Sequence, residues 1–218
     1  MTTPLGYRFA AAYAGIRKLA KDDVALMVSD LPAATAVVFT RNRVKAAPLL
    51  LSAQHLAASR GWCRAIVANA GNANCATPDG LAAARRTAAT AARALGIRTR
   101  EVQVSSTGVI GVPLPVDRLV GVIPGLVVGL ASENFDAASR AIMTTDLVPK
   151  TAGAEVRLRG GVARIAGMAK GSGMIHPGMG TMLAYLFTDV RLTPAEARGL
   201  LRPAVAESFN RISVDGDT

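Results

Sequence analysis

Apolar residues in this 218-residue chain fall into short runs, and most of those runs look like strands. Residues 24–29, 35–40, 64–69 and 101–105 are each brief and rich in Val or Ile, which predicts four strands. Residues 155–159 and 162–166 flank Gly160-Gly161, a pair suited to a primed two-residue turn, and so predict a hairpin. Residues 182–188 predict a further strand, beginning directly after Thr181. Between these runs the spacing becomes helical. Residues 80–95 are Ala-rich, with Asp79 as a candidate N-cap and Gly96 as a stop. Residues 134–143 carry apolar positions at helical spacing. Thr193-Pro-Ala-Glu196 reads as a capping box with proline at the first helical position, opening a helix to about Arg202. Residues 144–153, with Pro149, read as an exposed connection. Helices between strands, plus a hairpin, predict an α/β fold: a mixed β-sheet flanked by helices.

Composition narrows the class. Half the residues are hydrophobic and 18% are charged, which marks a globular chain long enough for one large domain or two small ones. The longest apolar run, residues 119–131, is too short to span a bilayer and contains Pro124 and Gly125, so no membrane partner is expected. The N-terminus lacks a basic stretch followed by an uninterrupted apolar segment, so no secretory signal is expected. Cys63 and Cys75 read as free thiols of a cytoplasmic protein, and two histidines in all argue against a metal site. The net charge of +10 raises the question of nucleic acid. Its cations lie in small clusters (Arg85-Arg86, Arg41/Arg43/Lys45, Arg157/Arg159), and one Trp, three Tyr and five Phe offer few stacking platforms. Acidic small molecules suit this charge better, and no nucleic-acid partner is expected.

The candidate chemistry lies in Lys170-Gly-Ser-Gly-Met-Ile-His-Pro-Gly-Met-Gly-Thr181-Met-Leu. A threonine hydroxyl needs a base beside it to act as a nucleophile. Cutting the chain just before Thr181 would make its own α-amine that base. Such an amine titrates at about 7.7–8.0, close enough to neutral to accept a proton. Gly180 tolerates the backbone geometry that scission requires. Taken alone, Gly-Thr here reads better as a glycine-rich turn feeding a strand. Residues 105–111, Ser-Ser-Thr-Gly-Val-Ile-Gly, follow a strand, and Gly108 would let the backbone approach a ligand closely; alone they read as an ordinary strand end. Lys170 is either a surface lysine ending a hairpin or a cation that binds a carboxylate or lowers the Thr181 ammonium pKa. Gly171-Ser-Gly173 has no Walker spacing, and His176 reads as a loop residue. The amides of Asn69, Asn72 and Asn74 form a dense turn whose role reads as local and structural.

These residues resemble the ornithine/glutamate N-acetyltransferase family of arginine biosynthesis, whose signature reads approximately KGSGMI-x-P-N-M-A-T-M-L. The resemblance extends along the chain through GYRFAAAYAGIRK at 6–18, VFTRNRVKAAPLLLS at 38–52 and IVANAGNANCAT at 66–77. It continues in SSTGVIG at 105–111, TTDLVPK at 144–150 and SFNRISVDGDT at 208–218. The resemblance implies a layered α/β sandwich of the N-terminal-threonine-nucleophile type. It implies autocleavage between Gly180 and Thr181, after which Thr181 carries acetyl from N-acetylornithine to glutamate. By the same resemblance, the Thr107 hydroxyl and the Gly108 N–H form the oxyanion hole, and Lys170 and Thr181 contact substrate. Residues 1–180 would then be α-chain-like and 181–218 the start of a β-chain-like region. No cofactor is implied, although some members accept acetyl-CoA as co-substrate. The implied assembly is a cytoplasmic dimer of cleaved α/β heterodimers acting on small molecules.

Three departures from the family pattern stand out. Gly178 and Gly180 replace the usual Asn and Ala. Leu147 falls where the family has a substrate-contacting threonine, leaving Thr144 or Thr145 as stand-ins. The family also runs to about double this length, so the chain reads as truncated at Thr218. Two rival readings follow: an amidase or aminopeptidase that uses the same threonine with water as acceptor, and an inactive fragment that folds only with a partner chain.

Overall fold

The computed structural model describes residues 2–178 and 180–218. The first sheet contains β1 (Tyr7–Ala12), β2 (Val24–Ala34), β3 (Trp62–Asn72) and β4 (Val102–Val109), in that spatial order. The first three strands are antiparallel, while β3 and β4 are parallel. A parallel pair needs a crossover, which α2 (Gly80–Leu95) supplies. Helix α1 (Ala47–Ala58) precedes β3, and α3 (Val116–Val128) and α4 (Phe135–Ala141) follow β4. The second sheet is antiparallel: β5 (Lys150–Leu158), β6 (Gly161–Lys170) and β7 (Leu183–Thr188). Helix α5 (Pro194–Glu207) comes last, opened by the Thr193–Glu196 capping box.

Alternation along the strands assembles the layers. In β2, Val24, Leu26 and Val28 face α1, α2 and α3, where they pack with Val67, Val102, Leu119 and Ile123. Helix α2 meets this layer with Ala84, Ala88, Ala91 and Ala92, small enough for close approach, and turns Arg85 and Arg86 outward. It ends at Gly96 in a left-handed conformation, φ +65°. The intervening residues Ala25 and Met27 face the second sheet, packing with Phe9, Phe135, Met168 and Phe187. Phe9 meets Phe135 and Phe187 edge-on, with ring centroids 5.1 and 5.2 Å apart. Each such pair contributes about 0.5–1.5 kcal/mol beyond its buried area.

Most predicted elements are present with shifted ends, and four expectations are corrected. Residues 35–40 form no strand: β2 bulges between Val28 and Ala33, stays paired to β3 only as far as Ala34, and leaves the sheet. The β5–β6 turn is Arg159-Gly160, because Gly161 is already paired with Leu158. Residues 150–153 belong to β5, which shortens the exposed connection to 144–149. Helix α5 runs through Pro203 to Glu207 rather than stopping near Arg202. Not anticipated were β1, α1, and α3, which buries Leu119, Ile123 and Leu126 despite Pro124, and short 3-10 turns such as Thr99–Glu101. Both cysteines are buried and free, and burial pushes the Cys63 thiol up to about 12. No helix of the described residues is long and apolar enough to cross a membrane.

Candidate active site

Parallel pairing of β3 with β4 sets Asn69 opposite Ser106, Ala70 opposite Thr107 and Gly71 opposite Gly108. The backbones approach so closely there that a Cβ on Gly108 would lie 2.2 Å from the Gly71 carbonyl carbon. With φ at +134°, only glycine fits. Buried amides brace the turn. Asn69 Oδ1 accepts from Ser106 Oγ at 2.6 Å, and Asn69 Nδ2 donates to the Asn72 carbonyl at 2.9 Å. Asn72 Nδ2 donates to the carbonyls of Val112 and Pro113, while its Oδ1 accepts from the Asn74 N–H. These bonds go to neighbouring backbone and side chains, as a local structural role requires. Thr107 is buried at the end of this braced strand.

Sequence reasoning missed Asp23. It is fully buried and accepts backbone N–H bonds from Ala14, Ile16 and Arg17 at 2.7–2.9 Å. Those bonds lay the 14–17 segment over Gly71, where a Cβ would come within 3.1 Å of Arg17. Its sequence signal was weak, because an Asp before an apolar strand looks like any turn residue.

The second side of the site begins where β6 ends. Lys170 is 1% exposed, which settles its placement: it is a buried lysine, not a surface one. Burial, reinforced by the nearby Lys150 charge and opposed by Asp146, lowers its pKa to about 8. Asp146, also missed from sequence, accepts from Lys150 Nζ, from the Gly171 N–H at 2.8 Å and from the Thr144 N–H at 3.2 Å. Burial works against its charge, yet these hydrogen bonds hold its carboxyl below the usual carboxylate range. His176 lies exposed in the loop, with Nδ1 3.1 Å from Ser213 Oγ.

Thr181 occupies an unusual turn. Its φ is +62°, a conformation that β-branched residues rarely adopt. The Met182 N–H donates to the Gly180 carbonyl oxygen at 2.7 Å, closing a three-residue γ-turn around Thr181. A turn of this hand is the rare, strained form, and a non-glycine residue held in such a region costs about 1–3 kcal/mol.

Thr107, Gly108, Lys170 and Thr181 all line one cavity of about 2430 Å³ between the sheets. Thr144 and Thr145 line it too. Leu147 does not: it is 95% exposed, so hydroxyls on this side come from the two threonines and from Ser172, whose Oγ lies 2.8 Å from Thr145 Oγ1. Small-molecule pockets usually measure about 300–1,000 Å³, so a small substrate would fill only one corner of this cleft. Buried Gln103 also lines the cleft, and neither of its amide atoms has a partner among the described residues. Among the described residues, no group of three or more His, Cys, Asp or Glu is arranged to hold a metal ion. The cleft thus combines a strained threonine, a buried cation and a braced glycine turn.

The sequence model of the ArgJ family matches residues 8–218. The arginine biosynthesis bifunctional protein ArgJ of Geobacter sulfurreducens is 50% identical over 214 residues, 97% of this chain and 54% of that protein. The chain therefore spans about half the length of the curated relatives it matches. The ornithine acetyltransferase of Mycobacterium tuberculosis, solved in complex with ornithine, superposes with a TM-score of 0.71 at 37% identity. That match covers 83% of this chain and 94% of the solved one. An L-aminopeptidase D-Ala-esterase/amidase from Ochrobactrum anthropi, a variant of the Ntn hydrolase fold, superposes with a TM-score of 0.54 at 14% identity, covering 95% of this chain and 67% of that one. This last likeness is one of fold alone, and it agrees with the expected layered α/β sandwich.

Proposed function

The chain belongs to the ArgJ family, and on that premise we propose that it is the nucleophile-bearing part of a glutamate N-acetyltransferase of arginine biosynthesis. In this reading it cuts itself between Gly180 and Thr181, and the freed Thr181 carries acetyl from N-acetylornithine to glutamate. Residues 1–180 are then an α-chain and residues 181–218 the start of a β-chain.

The observation that carries the reading is the γ-turn at the scissile bond. The φ torsion of Thr181 is defined by the Gly180 carbonyl carbon, so cutting that bond removes the torsion and releases its strain. The Met182 N–H already donates to the oxygen that becomes negative when Thr181 Oγ attacks the Gly180 carbonyl. Attack forms a C–O bond, and collapse breaks the C–N bond, passing the hydroxyl proton to the amine. Water then hydrolyses the resulting ester and leaves a free α-amine on Thr181. Chain lengths support the same reading. The solved ornithine acetyltransferase chain is almost wholly covered by five-sixths of this one, so it is about half as long as a full-length relative.

In transfer, the Thr181 α-amine takes the proton from Oγ as Oγ attacks the acetyl carbon of N-acetylornithine. The tetrahedral oxyanion is stabilised by the Thr107 hydroxyl and the Gly108 N–H. Its collapse expels ornithine, whose amine takes the proton, and glutamate reverses these steps on acetyl-Thr181. Lys170 supplies a cation for a substrate carboxylate, with Thr144 and Thr145 as nearby hydroxyls. The acetyl group travels on the protein, so no cofactor is needed, and acetyl-CoA is an alternative donor to the same threonine. Within this reading the enzyme is a cytoplasmic dimer of α/β pairs.

The test is the intact mass of the purified chain beside Thr181→Ala. Two fragments meeting at Gly180–Thr181 in the parent, and one uncut chain in the variant, are expected. A single species of 22.5 kDa from the parent would overturn self-cleavage in this chain.

A further inference from the structure

We propose that Asp215 is a positioning residue for scission at Gly180–Thr181, an assignment that rests on the cleavage reading above. Residues 208–218 double back along the loop that joins β6 to β7. The Val214 N–H donates to the Ile175 carbonyl at 2.9 Å, and Asn210 Oδ1 accepts from the Gly178 N–H at 3.3 Å. The central tie is the Asp215 carboxylate. Its Oδ1 accepts from the Ile175 N–H at 2.9 Å, and its Oδ2 accepts from the Met174 N–H. Two consecutive amides on one carboxylate fix the orientation of both peptide planes. The arrangement needs fixing, because Met174, like Thr181 in the same loop, is a non-glycine residue at positive φ, +56°. With the planes fixed, Ile175 is buried against Gly171, where an added Cβ would come within 2.9 Å of Ile175 Cδ1. Gly171 is itself tied to Asp146, so two carboxylates bracket the first half of the loop.

The same segment reaches the scissile peptide. A Cβ on Gly180 would lie 1.7 Å from Thr218 Oγ1, so the segment lies directly against this residue. Asp215 touches none of the reacting atoms. It acts through the loop, by holding the backbone that delivers Thr181 Oγ to the Gly180 carbonyl. Intramolecular attack is sensitive to such placement, and a shift of about 1 Å costs roughly 100-fold in rate.

The experiment compares the parent chain with Asp215→Asn and Asp215→Glu. It follows the fragment that begins at Thr181 by mass spectrometry, and amide hydrogen exchange at Met174 and Ile175. Asparagine keeps one acceptor but turns an NH₂ toward the second amide. It is therefore expected to slow scission by about 100-fold and to remove protection from one or both amides, while core amides such as Val67 stay protected. Glutamate restores a double acceptor and is expected to recover part of the rate. A parent that cleaves, matched in rate by Asp215→Asn, overturns this assignment alone. A parent that stays whole overturns the cleavage reading and this assignment with it.

Discussion

The glycine turn at Gly71 and Gly108 and the loop ending at Thr181 hold the two halves of the proposed chemistry, and they are secured by different means. The turn is built from strand register and buried amides, whose partners are the Asn72 carbonyl, Ser106 on the adjacent strand and the Val112 and Pro113 carbonyls. In the proposed chemistry its donors would be in place before any substrate arrives and would need no reorganisation during reaction. The loop is only partly buried, and it is held by carboxylates 25 and 41 residues distant in the chain. The half that stabilises charge therefore cannot change without disturbing the core. The half that delivers the nucleophile can be retuned one side chain at a time.

Breaking the rigid half has the largest expected effect. In Gly108→Ala the new methyl must displace the Gly71 carbonyl or abandon the register. Formation of acetyl-Thr181 from N-acetylornithine is expected to slow about 100- to 1,000-fold, with a lower melting temperature. Mass spectrometry of the Thr181 fragment and a thermal melt check this, and a parental rate would erase the contrast between the halves. Asn69→Ala removes one buried brace and strands Ser106 Oγ. Its expected cost is about 1–3 kcal/mol in urea unfolding, and a variant as stable as the parent would show the turn needs no brace.

The smallest effect belongs to Lys170, which sharpens the comparison from the loop side. Its folded pKa of about 8 lies below its ordinary 10.5, so the unfolded chain binds more protons between those values. Its contribution to stability accordingly rises with pH across that window. Carboxylate binding moves the other way: losing half the ammonium by pH 8 is expected to raise KM roughly twofold over pH 7. Lys170→Met should flatten both trends, as pH series of KM and melting temperature would show.

Local chemistry was readable where the chain carries its own punctuation. Gly96 stops α2 as anticipated, and the Thr193–Glu196 box opens α5. Asp79 stands at the start of α2 but makes no side-chain cap bond. Helix α1 reads Ala-Pro-Leu-Leu-Leu-Ser-Ala-Gln-His-Leu-Ala-Ala, apolar on too many faces to show a period. Helix α3 was hidden by Pro124 and Gly125, whose poor propensity is outweighed by burying Leu119, Ile123 and Leu126. Residues 35–40 are Val-rich like a strand yet have no partner strand among the described residues. Within the site, Thr181, Thr107, Gly108 and Lys170 were all marked by sequence, and one cleft gathers them. Asp23, Asp146 and Asp215 were not: Asp23 binds amides six to nine residues before it, Asp146 one 25 residues on and Asp215 two some 40 residues back, and no spacing rule announces such partners.

That distance also imposes an order on synthesis. A ribosome releases Met174 and Ile175 some 40 residues before the carboxylate that holds them. At about 5–20 residues per second, the loop waits roughly 2–8 seconds for its anchor. Through that interval the threonine and its bond are present without the geometry that joins them. Under the proposed cleavage the chain would thus carry its own delay, a nascent strand being cut only once its later residues had come back to fold against it.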